Sequence, residues 1–73
     1  MEPAVAFGRA LRRLRMERGM TQEQVGFEAD LRRTFISVLE LGQQQPTLTT
    51  IIKISKVFGI SPSELLKEAE RDF

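Results

Sequence analysis

Neither cysteine nor histidine occurs among the 73 residues. The first absence excludes disulfides and thiolate metal sites. The second removes a common metal ligand and the usual general base at neutral pH. Neither a metal nor a cofactor is therefore expected. No apolar run approaches the roughly 20 residues needed to cross a bilayer, so no membrane span is expected. A signal-peptide pattern is missing at the N-terminus, which points to the cytoplasm. Strand signals are absent as well, and the expected fold class is all α, with five helices in one domain over residues 1–73. A core of this size is marginal, with only about 60% of the chain's surface buried on folding. Dimerisation and good helix capping would both support it.

Charge of either sign is also scarce in the balance. Eleven Lys and Arg stand against ten Asp and Glu, for a net charge of +1. That is low for a nucleic-acid binder and argues against strong non-specific affinity. The distribution says more. Met1 to Arg33 holds seven arginines against five acids, whereas Thr34 to Phe73 holds four basic residues against five acids. The last turn, Glu68 to Asp72, is mostly acidic.

Residues Thr21 to Gly42 organise the chain as a helix, a tight turn and a second helix. Thr21 is a good N-cap, and Gln24 three residues on can complete a capping box. Val25 is the inward apolar position, and Gly26 lets a second backbone come close. Asp30 suits a left-handed turn conformation. Leu31 then tucks back into the core. A second helix, about Arg33 to Leu41, places Ile36 and Leu39 inward, and Gly42 ends it.

Before this stretch, Met1-Glu2-Pro3 reads as a frayed start, and Ala4 to about Arg18 as a helix. Phe7, Leu11 and Leu14 recur on one face of it, with Ala10 beside them. Arg12 and Arg18 are expected on a solvated face. After it, Thr47 caps a fourth helix whose inward stripe is Leu48, Ile51, Ile52, Ser55 and Phe58. Ser61-Pro62-Ser63-Glu64 starts a fifth helix, with an N-cap, a first-position proline and a glutamate at the third position. Leu65 and Leu66 are expected to bury that helix.

A helix fits the major groove of B-DNA, where each base pair presents its own donors and acceptors. With Ile36 and Leu39 inward, the residues left to face outward are Arg32, Arg33, Thr34, Ser37 and Val38. Arginine can pair in a bidentate way with guanine O6 and N7. Arg32 and Arg33 thus point to guanines, and Thr34 and Ser37 to bases or phosphates. The competing reading is two arginines on a surface turn.

The ordered set Thr21-Gln22, Val25-Gly26, Leu31, Arg33-Thr34-Phe35-Ile36-Ser37, Glu40 and Gly42 resembles the Cro/C1-type (XRE) family of helix-turn-helix transcriptional regulators. Pro46-Thr47-Leu48 and Phe58-Gly59-Ile60-Ser61 follow at the family's spacing. The wording Ala29-x-Leu31-x-Arg33-Thr34-Phe35-Ile36-Ser37 is similar to the subgroup that includes restriction-modification controller proteins. The resemblance runs from about Phe7 to Leu66 and implies a lambda-repressor-like DNA-binding domain, with the helix-turn-helix at about residues 21–42. It implies that Arg15 pairs with Glu40, tying the first helix to the end of the third. Gln22 matches a glutamine that touches the DNA backbone. The position of Arg32 is often a Ser or Thr N-cap, a role arginine cannot fill. Phe35 either packs under helix two or touches a thymine methyl or sugar. Phe27 is expected against helix one or the turn.

Two departures stand out. Leu41 replaces a residue that is often polar or basic, and the usually basic loop is Gln43-Gln44-Gln45. Gln43 and Gln44 can still hydrogen-bond phosphates, with little counterion release. Relatives of this size often dimerise through helices four and five. Ile52, Val57, Ile60, Leu66 and Phe73 are the candidates, against filling of the monomer's own core.

The leading expectation is a homodimeric reader of a near-palindromic operator in double-stranded DNA. It carries no ligand domain, so regulation would act through its own concentration or a separate partner. The alternative is a protein-interaction module or antitoxin on the same fold, using Val38 and Leu41 or the C-terminal helix to hold a protein partner. An acidic patch from Glu17, Glu23 or Glu28 either touches RNA polymerase or does nothing. Glu17, Glu23, Glu28 and Asp30 have no nucleophile, ligand set or phosphate loop around them, so no enzyme is expected.

Overall fold

Four of the five helices begin where the sequence supplies a capping side chain or a first-position proline, the helix from Arg33 being the exception. In the computed structural model, which describes all 73 residues, α1 spans Pro3–Glu17, α2 Gln22–Ala29, α3 Arg33–Glu40, α4 Leu48–Val57 and α5 Pro62–Glu70. Both capping boxes form. Thr21 Oγ1 accepts from the Gln24 N–H at 3.0 Å while Gln24 Oε1 accepts from the Thr21 N–H at 2.8 Å. Ser61 and Glu64 exchange the equivalent pair at 3.1 and 3.0 Å. Thr47 caps α4 by accepting from the Thr50 N–H at 3.1 Å. The frayed start expected at Met1–Pro3 is shorter than read. Pro3 is the first residue of α1, where its missing N–H costs nothing.

The turn between α2 and α3 is made as its sequence reads. Asp30 takes the left-handed conformation, φ 57° and ψ 46°. A Cβ at Gly26 would lie 2.6 Å from the Leu31 carbonyl oxygen, so the absent side chain is what lets the turn close onto α2. A second close approach went unread. At Gly8 a Cβ would run into the Leu39 carbonyl oxygen and stand 2.8 Å from that of Glu40, so α1 lies directly on the end of α3.

Around this contact α1 packs on α3 and α5, α2 on α3 and α4, and α4 on α5. Phe7, Leu11 and Leu14 meet Val25, Ile36, Leu39, Ile54, Phe58 and Leu65 in one core.

The facing of α4 differs from the expected stripe. Ile54 is fully buried, Thr50, Ser55 and Phe58 are buried, and Leu48 and Ile52 point outward. The reason is polar satisfaction. Thr50 Oγ1 is bonded to Thr47 Oγ1 at 3.0 Å, and Ser55 Oγ donates to the Ile52 carbonyl at 2.8 Å. Hydroxyls satisfied within their own helix can be buried, so apolar count does not set the phase. Leu66 is likewise exposed, because it lies about 100° round α5 from the fully buried Leu65. Phe27 is a third correction: it is 86% exposed, being about 200° round α2 from the inward Val25. Arg18 is exposed, as expected, with its guanidinium over the Phe58 ring, 5.3 Å from the centroid.

Two arginines of α1 serve the interior of the fold. Arg15 Nε donates to Glu40 Oε2 at 2.6 Å and Nη2 to Oε1 at 3.0 Å, with side chains 12% and 5% exposed. Its Nη1 donates to the Met20 carbonyl at 3.0 Å, fixing the loop into α2. The hydrogen bonds to Glu40 raise the Arg15 pKa further. Arg13, unremarked in sequence, donates from Nε to Glu68 Oε1 at 3.1 Å, from Nη1 to Asp72 Oδ2 at 2.7 Å and from Nη2 to the Glu68 carbonyl at 2.9 Å. The acidic last turn is therefore the partner of α1. Arg13's hydrogen bond holds the Asp72 carboxyl below the usual aspartate range, and the backbone N–H of Ser61 does the same for Glu64.

Removing one member of the Arg15–Glu40 pair strands the other charge. Glu40→Ala is expected to destabilise the fold by about 3 kcal/mol, read by urea unfolding, and an unchanged midpoint would count against the pair. A carboxylate whose folded-state pKa is depressed stabilises above its unfolded value, about 4 for aspartate, and that contribution disappears as pH falls through the folded value. Asp72→Asn should therefore lower the Tm at neutral pH and flatten its decline in acid. The part that remains belongs to Glu64 and the other carboxylates. Parallel Tm–pH curves for wild type and variant would rule out a contribution from Asp72.

Candidate nucleic-acid interface

The exposed side of α3 is set by its buried side. Ile36 and Leu39 are fully buried. With that face fixed, Arg32, Arg33 and Thr34 are exposed at the start of the helix, and Ser37 and Val38 are half-buried further along. Phe35 is half-buried, packing against the core cluster with part of its ring left open. Arg32 occupies the N-cap position in extended conformation and makes no side-chain cap bond. Its guanidinium is thus free of the duty that Ser or Thr would perform there.

Gln22 opens α2 and is joined to the same frame. Its Nε2 donates to Glu40 Oε1 at 3.1 Å. Glu40 therefore receives α1 through Arg15 and α2 through Gln22, while belonging to α3 itself. An amide nitrogen carries two hydrogens, so one N–H of Gln22 remains for an outside acceptor. The two residues are 18 apart in the chain, and no sequence motif joins them.

Arg33 has a neighbour that was also not foreseen. Its Nη1 lies 3.7 Å from Glu23 Oε2, with side chains 65% and 76% exposed. A pair this open contributes little to stability and is readily exchanged for another anion or a base. It draws Arg33 toward the first turn of α2, beside Gln22. Glu17, Glu23 and Glu28 are all exposed, and the contact with Arg33 partly neutralises Glu23.

Past α3 the chain turns at Gly42, with φ 71°. Gln43 and Gln44 are exposed on the following loop, and Leu41 just before it is 65% exposed. The structure thus brings Gln22, Arg32, Arg33 and Thr34 to the α2–α3 edge. Gln43 and Gln44 stand at the far end of α3. The dimer candidates lie on other elements. Ile52, Leu66 and Phe73 are exposed at 37%, 41% and 60%, whereas Val57 and Ile60 are half-buried against their own core. No helix is long and apolar enough to cross a membrane.

Comparison with known proteins agrees with this geometry. A helix-turn-helix family model matches residues 11–65. The control protein C.BamHI of Bacillus amyloliquefaciens is 44% identical over 61 residues, covering 82% of this chain and 75% of its own. The control protein C.MunI of a Mycoplasma species is 36% identical over 69 residues, 93% of each chain. Among solved structures, the restriction-modification controller protein C.AhdI from Aeromonas hydrophila superposes with a TM-score of 0.82 at 37% identity, over 85% of this chain and 94% of its own. The matched span contains the capped α2, the Asp30 turn and the whole of α3. The chain belongs to the helix-turn-helix family of Cro/C1 (XRE) type, in the group that includes the restriction-modification control proteins.

Proposed function

We propose that this protein is a transcriptional regulator that binds double-stranded DNA sequence-specifically, as a homodimer on a near-palindromic operator. The observation that carries this reading is α3 itself. Arg32, Arg33 and Thr34 are exposed at the start of a helix whose other face is fully buried and whose last residue is clamped to α1 and α2. Such a helix can enter the major groove without changing its attitude to the rest of the domain. Arg33 is the base reader, and Arg32 reads a base or a phosphate. Thr34 and Ser37 contact bases or phosphates beside them, with the edge of Phe35 next to them. Gln22 and the glutamines Gln43 and Gln44 hold the backbone. A second copy would supply the other half-site, through Ile52, Leu66 and Phe73 with Val57 at the margin.

With a net charge of +1 and a neutral loop, non-specific affinity should be low and the salt slope shallow. Specificity then depends on base contacts and on two half-sites being held together. The relatives' names, as control proteins, support a regulatory role. A second reading has its own observation. Leu41 and Phe27 are 65% and 86% exposed, which suits a protein partner such as RNA polymerase or a cognate toxin.

Selection of bound sequences from random duplex DNA decides between them, run on wild type and on the Arg32→Ala/Arg33→Ala protein. An inverted repeat that vanishes in the variant supports the DNA reader. No enriched sequence from folded wild type would transfer the weight to the protein-partner reading. For Arg33→Ala alone, the expected loss of specific binding is about 1–3 kcal/mol per half-site, with the melting temperature unchanged. Unfolding of that variant would show Arg33 to be structural.

A further inference from the structure

We propose that Glu23 is a specificity-determining residue: by holding one end of the Arg33 guanidinium it turns the opposite edge toward a guanine, and by its own charge it makes the same arginine a poor partner for phosphate. The proposal deepens the DNA reading above and rests on it.

Glu23 Oε2 lies 3.7 Å from Nη1 of Arg33. Which nitrogen it faces matters. A guanidinium offers its N–H groups in a fixed fork. The parallel pair on Nε and Nη2 is the edge that Arg15 uses on Glu40. A carboxylate at Nη1 leaves that edge of Arg33 open. Guanine O6 and N7 need only one such edge, so a base can be read without giving up the contact. A long side chain already steered by a neighbour has less freedom to lose on binding. The pair also strengthens as DNA closes over it and excludes water.

Phosphate is treated differently. Arg15, Thr21, Gln22, Glu23 and Arg33 line one open cleft at the start of α2. Within it Arg15 is committed to Glu40, which leaves Arg33 as the cation an anion would seek. An anion arriving there meets the Glu23 carboxylate, and like charges at that range repel. This cost falls on every DNA sequence alike, whereas the steering of Arg33 is returned only where a guanine stands opposite. Glu23 therefore widens the gap between specific and non-specific binding. A carboxylate in the first turn also suits the α2 dipole, but that role stabilises the helix and does not distinguish sequences.

The test measures Kd at one salt concentration for two duplexes, the inverted repeat recovered by the selection above and a scrambled sequence of equal length. The proteins are wild type, Glu23→Gln, Glu23→Asp, Arg33→Ala and the Glu23→Gln/Arg33→Ala double variant. Glu23→Gln is expected to tighten binding to the scrambled duplex and to lower the ratio of the two affinities on the order of tenfold. Glu23→Asp keeps the charge and shortens the reach, so it should lower the ratio while leaving the scrambled duplex within about twofold of wild type. In the Arg33→Ala background, Glu23→Gln should shift both duplexes by the same factor, because the steering acts through Arg33. The melting temperature of each variant reports the helix role separately. A ratio unchanged or raised by Glu23→Gln would overturn the proposal while leaving Arg33 a DNA reader, as would an equal fall in both Arg33 backgrounds. A folded wild type that selects no sequence would overturn the DNA reading and this one together.

Discussion

Much of this small structure depends on where one carboxylate sits. Glu40 is the last residue of α3, and its oxygens receive Arg15 of α1 and Gln22 of α2. An apolar triad of similar volume could fill the same space, and buried ion pairs commonly add little net stability over such a replacement. What the pair provides is direction. A guanidinium fork meeting a carboxylate with two parallel bonds fixes angle as well as distance. Gly8 serves the same end, since its missing side chain lets α1 lie on the last carbonyls of α3. A helix that presents side chains to base edges, as proposed for α3, has to be held within a fraction of an ångström. The clamp is placed at the end of α3 remote from Arg32 and Arg33, so it orients the helix without occupying the reading face.

Local chemistry was legible in the sequence, and side-chain partners across the fold were not. Thr21, Ser61 and Thr47 cap helices by bonds that span three residues, so their roles follow from spacing. Asp30 and Gly26 announce the turn for the same reason. The phase of α4 did not follow, because leucine and isoleucine occur on most of its faces and two buried hydroxyls are satisfied within the helix. Leu65 and Leu66 are equivalent in hydrophobicity, and only the position of α1 beside α5 separates them. Phe27 looked like core because it is aromatic, yet the short α2 buries only the face carrying Val25 and Ala29. The Arg15–Glu40 pair was legible only through family resemblance. Arg13 and Glu68 are 55 residues apart in the chain, and no motif joins them.

The fate of the arginines changes how the charge distribution is to be understood. Seven of them in Met1 to Arg33 make that half positive, which reads as a field for DNA. Two are spent on the fold, Arg13 on the acidic turn after α5 and Arg15 on Glu40, while Arg18 lies over the Phe58 ring and stays exposed. Arg9 and Arg12 are exposed on α1, off the reading edge. What remains at the start of α3 is Arg32, and Arg33 in loose contact with Glu23. Counting charge along the sequence therefore overstates the electrostatic attraction available at the site. The neutral glutamine loop after Gly42 does nothing to restore it.

A reader with so few free charges cannot depend on phosphates for affinity, because each neutralised phosphate contributes through counterion release and few are available. Its discrimination must come from bonds to bases, which are short-ranged and fail if the helix is misplaced. Rigid mounting of α3 and doubling of the site then become requirements. The clamp at Glu40 provides the first. In the proposed homodimer two copies provide the second, since joining two weak readers makes the second contact intramolecular and raises the apparent affinity without any new phosphate contact. The arginine-rich α1 contributes to that mounting: Arg15 holds the end of α3, and Arg13 holds the turn after α5. Under the proposed function these two arginines of α1 act through the geometry they impose on other elements.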